Sequence, residues 1–499
     1  MELKEKAAKS IRWNMVATIY KIFIQLLRIA ILTRFIDAAN FGLVAIASMV
    51  IAFTDIFADL GITVGIIHKQ DITQEEYSSL FWMNLMFSSV LFIFVCLVSP
   101  LVADFYHEPE LKTIIPILAI QILLHAFGKI FQTIKSKNLE FDFLSKVSII
   151  SSTIGFLSSI VFAWMGWGVY SLVYSQLLLV AICQISYAVA GSKTLKIQTH
   201  FKFSDVSDFI KIGLYKLGSG ILDFVSEKID IFLIGHFFTM DDLGIYNLAK
   251  ELIYRPYQII VSLVTNVAAA TFAKIQNNIN AVRGNFLRML RIVGVITSLI
   301  YAVMFVFSDA VAAVLYAPEF AGTSFFIRVL SICGLLTCFD SMSSPIQTSY
   351  GRTDLGFVWT IIRIILSTVV LVITGMISVN AVAYGQVVVS VVSYILFFLF
   401  VVRKLVKVNF REYVMIPLPP VILSVVIGAP FIVLLALFKL NLVVQLVFAV
   451  VFVIIYILYY MHFEHDFFLS TIQFVFGEKA KKLVGRIHVK SVFTHNDEI

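Results

Sequence analysis

The sequence predicts an all-α polytopic membrane protein with about fourteen transmembrane helices. These form two parallel six-helix lobes around a central cavity, plus two extra C-terminal helices. Three observations carry this. Apolar runs of about 20 residues, the length that crosses a bilayer as a helix, recur along nearly the whole chain. The 499 residues are 60% hydrophobic and only 14% charged, with a mean hydropathy of +0.94, and the short alternating segments of a β-barrel do not dominate. The lysines and arginines, finally, segregate into alternate loops.

In chain order the expected spans are 12–36, 41–67, 79–103, 113–135, 146–165, 168–190, 210–237, 243–270, 290–316, 323–349, 355–377, 379–402, 414–438 and 441–462. The N-terminal MELKEKAAKSIRW is basic but has no signal-peptidase site, so the first span is expected to be retained. With span edges counted to their loops, the segments on the N-terminal side hold 26 of the 38 Lys and Arg, the opposite loops hold two (Lys112 and Lys439), and ten fall within spans. This bias predicts a multi-pass membrane protein with both termini cytoplasmic. The outward loops are acidic instead: Asp104, Glu108, Glu110, Asp241, Asp242 and Glu319. The net charge of +7 then belongs to loops facing anionic lipid headgroups and not to nucleic acid. Cys96, Cys183, Cys333 and Cys338 lie in apolar segments without CxxC spacing, which indicates neither a disulfide framework nor a zinc site.

The chain also repeats itself. Gly42-Leu-Val-Ala-Ile-Ala matches Gly244-Ile-Tyr-Asn-Leu-Ala at an offset of 202. Further on, Phe105-Tyr-His-Glu-Pro-Glu-Leu resembles Leu315-Tyr-Ala-Pro-Glu-Phe, and Val169…Tyr174-Ser-Gln176 resembles Val379…Tyr384-Gly-Gln386. Three matches in one order suggest a duplication of six spans, and six is even, so the halves are parallel, as in some transporters. The expected division is 1–190 and 210–402 for the lobes, 191–209 for a cytoplasmic linker, 403–462 for spans thirteen and fourteen, and 463–499 for a basic cytoplasmic tail, amphipathic or disordered.

Span one is hydrophobic enough to cross a membrane yet carries Asn14, Thr18, Lys21, Gln25 and Arg28. That spacing puts all five on one helical stripe, within about 80° of each other. A cation at bilayer depth costs about 2.5–3.5 kcal/mol, so the stripe is expected to face a protein-lined or wet interior. At the 202 offset it maps onto Lys216, Gly220, Asp223, Glu227 and Asp230, with the charge inverted. Lys21 is then expected opposite Asp223, and Arg28 opposite Asp230, as gating ion bridges, as separate walls for substrate and coupling ion, or as fixed packing between halves. Weaker stripes are Gln121, His125, Lys129 and Gln132 in span four, Thr337, Asp340, Ser344 and Gln347 in span ten, Asp55 and Asp59 in span two, and Asn247, Glu251, Tyr254 and Gln258 in span eight, where Pro256 is expected to kink the helix. Each alone is equally well explained by helix–helix hydrogen bonding; together they describe a polar cavity. No P-loop, HExxH, GxSxG or metal-holding acidic loop cluster is present in the sequence. The chain is therefore read as a transporter and not an enzyme, with no cofactor, and it would run on an ion gradient with H+ or Na+ as coupling ion, on the substrate's own gradient, or on a separate motor.

The phrases LTRFIDAANFGLVAIASMVIAFTDIFADLGI, IIHKQDITQEEYSSLFWMNL, KIDIFLIGHFFTMDDLGIYNLAKELIYRP, FAKIQNN and YGRTDLGF resemble the polysaccharide-transporter branch of the multidrug/oligosaccharidyl-lipid/polysaccharide (MOP) exporter superfamily. They are most similar to its colanic-acid and teichuronic-acid exporter-like flippases. The similarity runs from about residue 5 to about 410. It implies flipping of undecaprenyl-pyrophosphate-linked oligosaccharide repeat units across the bacterial inner membrane for surface polysaccharide biosynthesis, lipopolysaccharide or exopolysaccharide, with a polysaccharide polymerase and glycosyltransferases as possible partners beside membrane lipids. A cationic cavity receiving the pyrophosphate-sugar headgroup would then use Lys21, Gln25, Arg28, His125 and Lys129. Gating or ion coupling would fall to Asp223, Glu227, Asp230, Asp55 and Asp340. The alternative is a cation-coupled multidrug exporter of the same superfamily, with Asp223, Glu227 and Asp230 as its binding site.

Overall fold

The computed structural model describes residues 2–58, 62–69, 71–438 and 440–476. These are all-helical, with no strand among them. The first half contains α1 (Glu2–Leu32), α2 (Ala38–Ala58), α3 (Ile62–His68), α4 (Gln74–Tyr106), α5 (Leu111–Lys137), α6 (Phe141–Trp164) and α7 (Val169–Ser192). Next come α8 (Phe203–Phe237), α9 (Met240–Ile275), α10 (Ile279–Val306), α11 (Ser308–Leu315), α12 (Thr323–Asp340), α13 (Ser344–Ser349), α14 (Thr353–Gly375) and α15 (Val379–Phe397). A π turn, Phe398–Val402, leads into α16 (Arg403–Val406). The chain then forms α17 (Phe410–Met415), α18 (Leu418–Leu437), α19 (Leu442–Phe463) and α20 (His465–Phe476). Short 3₁₀ turns sit at Pro318–Phe320 and Ser341–Ser343.

Twelve segments among the described residues are long and apolar enough to cross a membrane, which makes this a multi-pass membrane protein. Two of the fourteen expected spans fall outside that number, although both are helices of ample length, 35 and 36 residues. They are α8 and α9, both of which carry charge in the stretch that is described. Asp223, Glu227, Lys228 and Asp230 crowd into eight residues of α8, and α9 carries Asp241, Asp242, Lys250, Glu251 and Arg255. A helix that crosses with such a load must turn it toward protein or a water-filled interior. Helix α9 remains one helix through Pro256. Beyond α20, residues 477–499 with Lys479, Lys481, Lys482, Arg486 and Lys490 lie outside the described residues.

The chain forms two compact units: Met1–Leu252 with Ala312–Phe326 and Phe357–Val389, and Ile253–Val311 with Ile327–Gly356 and Ser390–Ile499. In the first unit, the starts of α2 and α9 meet in a contact that maps onto itself. A Cβ on Gly42 would run into the Met240 carbonyl oxygen, and a Cβ on Gly244 into the Ala38 carbonyl oxygen. Ala38 and Met240, like Gly42 and Gly244, are 202 residues apart. Such reciprocity is what a two-fold relation between repeated segments produces. Two further contacts fall at positions related by the offset, with different partners. Tyr106 packs 3.0 Å from the Cβ position of Gly235, and the Ala317 amide donates to Thr33 Oγ1 at 3.3 Å; Thr33 and Gly235 are again 202 apart.

Residues 193–202, between α7 and α8, are tied to the start of α4. Ser78 Oγ accepts from the Gln198 amide (3.0 Å), Ser79 Oγ accepts from the Lys202 amide (3.1 Å), and Trp82 Nε1 donates to the Gln198 carbonyl (2.9 Å). Ser79 Oγ also donates to Asp205 Oδ2 at 2.9 Å, where His200 Nε2 lies at 3.1 Å. Asp205 precedes the apolar part of α8, and the Ser79 hydroxyl, with His200, holds its carboxyl below the usual carboxylate range.

The second unit is closed by ion pairs. Arg283 Nη2 reaches both Glu412 oxygens (2.6 and 2.7 Å) and Arg291 Nη2 both Glu464 oxygens (2.8 Å). The Arg291 guanidinium also lies over the Phe467 ring, 4.3 Å from its centre. The amphipathic reading of the segment after residue 463 thus has a helix behind it, α20, anchored on α10. Phe307, Phe431 and Phe452 pack α18 and α19 onto the same helix.

Candidate translocation site

The polar stripe of α1 is real, but it opens into two cavities. Seven residues of helix separate Lys21 from Arg28 by about 10 Å along the axis. Lys21 lines a cavity of about 250 Å³ with Asn14, Lys129, Gln132, Ser145 and Ser148. No acidic side chain is among its described lining residues. Gln25 and Arg28 line another, about 330 Å³, with Gln176, Lys228, Asn247 and Glu251. There Arg28 Nη2 donates to Ser175 Oγ at 2.8 Å and to the Leu172 carbonyl at 3.4 Å, while Glu251 supplies the opposing charge.

His125, Lys129 and Asp55 share a third, smaller space of about 140 Å³ with Asn84 and Ser88. His125 Nδ1 pairs with Gln184 Nε2 at 2.9 Å. With the amide nitrogen as donor, the imidazole's other nitrogen carries the proton. Lys129 lines this space and the Lys21 cavity, so α5 connects the two. Asp59 lies outside the described residues.

The acidic stripe of α8 is arranged differently from the expected bridges. Asp230 is fully buried and takes Lys250, not Arg28, as its ion partner: Lys250 Nζ is 2.7 Å from both carboxylate oxygens. Tyr246 Oη donates at 2.6 Å, Gln386 Nε2 at 3.0 Å and the Ile231 amide at 2.8 Å. Four donors on one buried carboxylate make a satisfied structural network. Asp223 is exposed and accepts from Thr360 Oγ1 at 3.3 Å, with Arg363 and not Lys21 as its charged neighbour. Glu227 is exposed, and its carbonyl accepts from Lys250 Nζ at 2.7 Å. Asp340, in the second unit, accepts from Tyr413 Oη at 3.4 Å. The side chain of Lys216 lies outside the described residues.

The opposed-wall idea therefore fails as a set of ion bridges, yet the repeat survives in another form. Arg28 binds Ser175 on α7, the sixth span; its counterpart Asp230 binds Gln386 on α15, the twelfth. Each half fastens the charge on its first span to the matching stretch of its sixth. Lys250 and Tyr246 were missed by the sequence reading, and hairpin register is the signal that points to them. The turn between α8 and α9 falls at residues 238–239, so Asp230, eight residues before it, must meet a residue near 246 or 247 on an antiparallel neighbour.

The family model of polysaccharide biosynthesis proteins matches residues 31–325, well over half the chain. The chain belongs to that family. The teichuronic acid biosynthesis protein TuaB of Bacillus subtilis (strain 168) is 28% identical over 420 residues, covering 84% of this chain and 86% of TuaB. The lipopolysaccharide biosynthesis protein WzxC of Escherichia coli (strain K12) is 24% identical over 436 residues, covering 86% of this chain and 89% of WzxC. Among solved structures, the lipid II flippase MurJ in an inward closed conformation superposes with a TM-score of 0.69 at 13% identity, over 89% of this chain and 98% of MurJ. The family member thus shares its fold with a flippase, and the resemblance read from the sequence, to the polysaccharide branch of the MOP superfamily, holds.

Proposed function

We propose that this protein carries undecaprenyl-pyrophosphate-linked oligosaccharide repeat units from the cytoplasmic to the outer leaflet of the bacterial inner membrane by alternating access, with both termini cytoplasmic. The observation that supports this best is the Lys21–Lys129 cavity: two ammonium groups and several hydroxyls, with no described carboxylate among its lining residues. A diphosphate is the ligand such a site favours, because charge-assisted hydrogen bonds strengthen where water is scarce. A cationic drug would be repelled there. The family's role in polysaccharide biosynthesis and the flippase fold point the same way. Transport then draws on an H+ or Na+ gradient, with Asp55, Asp223, Glu227 and Asp340 as the carboxylates available for coupling, and the product passes to a polymerase supplied by glycosyltransferases.

The test is a deletion strain of the native host. Lipid-linked precursor should accumulate in it, and wild-type protein should clear it while Lys21→Ala and Lys129→Ala do not. Altered dye efflux with normal surface polysaccharide would overturn this reading in favour of multidrug export.

A further inference from the structure

The two larger cavities along α1 differ in chemistry as well as position. The Lys21–Lys129 cavity offers cations and hydroxyls. The Arg28 cavity offers three carboxamides, Gln25, Gln176 and Asn247, together with the Glu251 carboxylate and the Lys228 ammonium, against a wall of Val44, Met49 and Leu118. Carboxamides donate and accept at once, and a carboxylate accepts from neighbouring hydroxyls. Part of the Arg28 guanidinium is already engaged by Ser175 and the Leu172 carbonyl, Lys228 Nζ lies 3.7 Å from Glu227 Oε1, and Glu251 opposes a second anion. An apolar wall with a few convergent polar groups is the usual build of a site for a small, partly polar ligand. At about 330 Å³, the space equals about eleven water molecules.

We infer that Gln25, Gln176, Asn247 and Glu251 form a sugar-reading subsite, distinct from the Lys21–Lys129 subsite that takes the pyrophosphate. This rests on the flippase reading above and divides its headgroup between two places. The lysine pair fixes the part common to every lipid-linked glycan. The amide cavity decides which glycan is accepted. Arg28 serves here by holding the α1–α7 face in register and by offering its remaining N–H groups to a ring oxygen or a sugar carboxylate.

Binding to the full-length protein in nanodiscs separates the two. The probes are farnesyl pyrophosphate alone and farnesyl pyrophosphate bearing a neutral hexose, an N-acetylhexosamine or a hexuronic acid. Wild type should bind at least one sugar-bearing probe about tenfold more tightly than the bare pyrophosphate, a change well within the reach of a few hydrogen bonds. Asn247→Ala and Glu251→Gln should erase that gain while leaving affinity for the bare pyrophosphate within about twofold. Lys21→Ala should weaken all four probes alike. If wild type binds farnesyl pyrophosphate but gains nothing from any sugar, the subsite is overturned and the flippase reading stands. Should Asn247→Ala and Glu251→Gln weaken the bare pyrophosphate as much as the sugar-bearing probes, the division is overturned as well. Failure of wild type to bind any probe would count against the flippase reading itself. Gln176→Ala, on a different helix, repeats the test should either α9 variant prove unfolded by its thermal transition.

Discussion

Lys250 reaches Asp230 across the α8–α9 hairpin, with its ammonium 2.7 Å from both carboxylate oxygens. Asp230 has no exposed surface, whereas the Lys250 side chain keeps 22% of its own. Removing one member of a buried pair strands the other, at about 3–5 kcal/mol. Water reaches Lys250, so Asp230→Asn should cost about 3 kcal/mol, the low end of that range. Asp230→Asn combined with Lys250→Met should recover most of the loss, read as the thermal unfolding midpoint in nanodiscs. A double variant no more stable than Asp230→Asn would show that the pair is not what the single change disturbs.

The glycine joint makes a matched prediction. Gly42→Ala and Gly244→Ala each drive a methyl group into a carbonyl oxygen of the other helix. Overpacking of this kind costs about 1–3 kcal/mol. The two losses should be alike because the environments are alike, and the double variant should lose less than their sum, since either methyl already parts the same helices. Unequal losses, or strict additivity, would mean that the two contacts are independent.

Exchanging the charges of Lys21 and Asp223 should not restore transport. Asp223 is hydrogen-bonded to Thr360, and the described structure contains no ion pair between it and Lys21. Lys21→Asp places an anion in the phosphate cavity, and Asp223→Lys cannot compensate from elsewhere. Precursor accumulation in cells carrying both changes should equal that in cells carrying Lys21→Asp alone. Recovery of transport by the double variant would reinstate the bridge between α1 and α8.

Acid should loosen the segment between α7 and α8. The Asp205 carboxyl is held below its ordinary value of about 3.9 by the Ser79 hydroxyl and by His200. A depressed carboxylate stabilises the fold above its unfolded value, and that contribution disappears as pH falls through the folded one. Amide exchange at residues 193–202, corrected for its intrinsic pH dependence, should stay protected from neutral pH down to about 4 and rise below it. Asp205→Asn should show the faster exchange at neutral pH already. A pH-independent profile in wild type would remove Asp205 from the account.

What could be read in advance follows from what each signal encodes. Apolar run length marks a span directly, so α4 through α7, α18 and α19 stood out. The same measure is diluted in α8 by Asp223, Glu227, Lys228 and Asp230. Helical periodicity placed Asn14, Lys21 and Arg28 on one face, because phase depends only on spacing. It could not divide Lys21 from Arg28 into separate cavities, since depth along a face is blind to what neighbouring helices bring up to it. Charge inversion at the 202 offset suggested mutual pairing. The partners turned out to be Ser175, Lys250 and Thr360, which the offset alone does not select.

The contact between Gly42 and Gly244 involves backbone only, and this bears on how the protein cycles. Ala38 and Met240 each open a helix, and their carbonyls accept from amides four residues on, at Gly42 and Gly244. Parting the helices at this point therefore leaves neither carbonyl orphaned. At this point the seam is backbone laid on backbone, closer to a press-stud than to a weld. In the alternating access proposed above, a closure of this kind would leave neither carbonyl to be re-paired between turnovers.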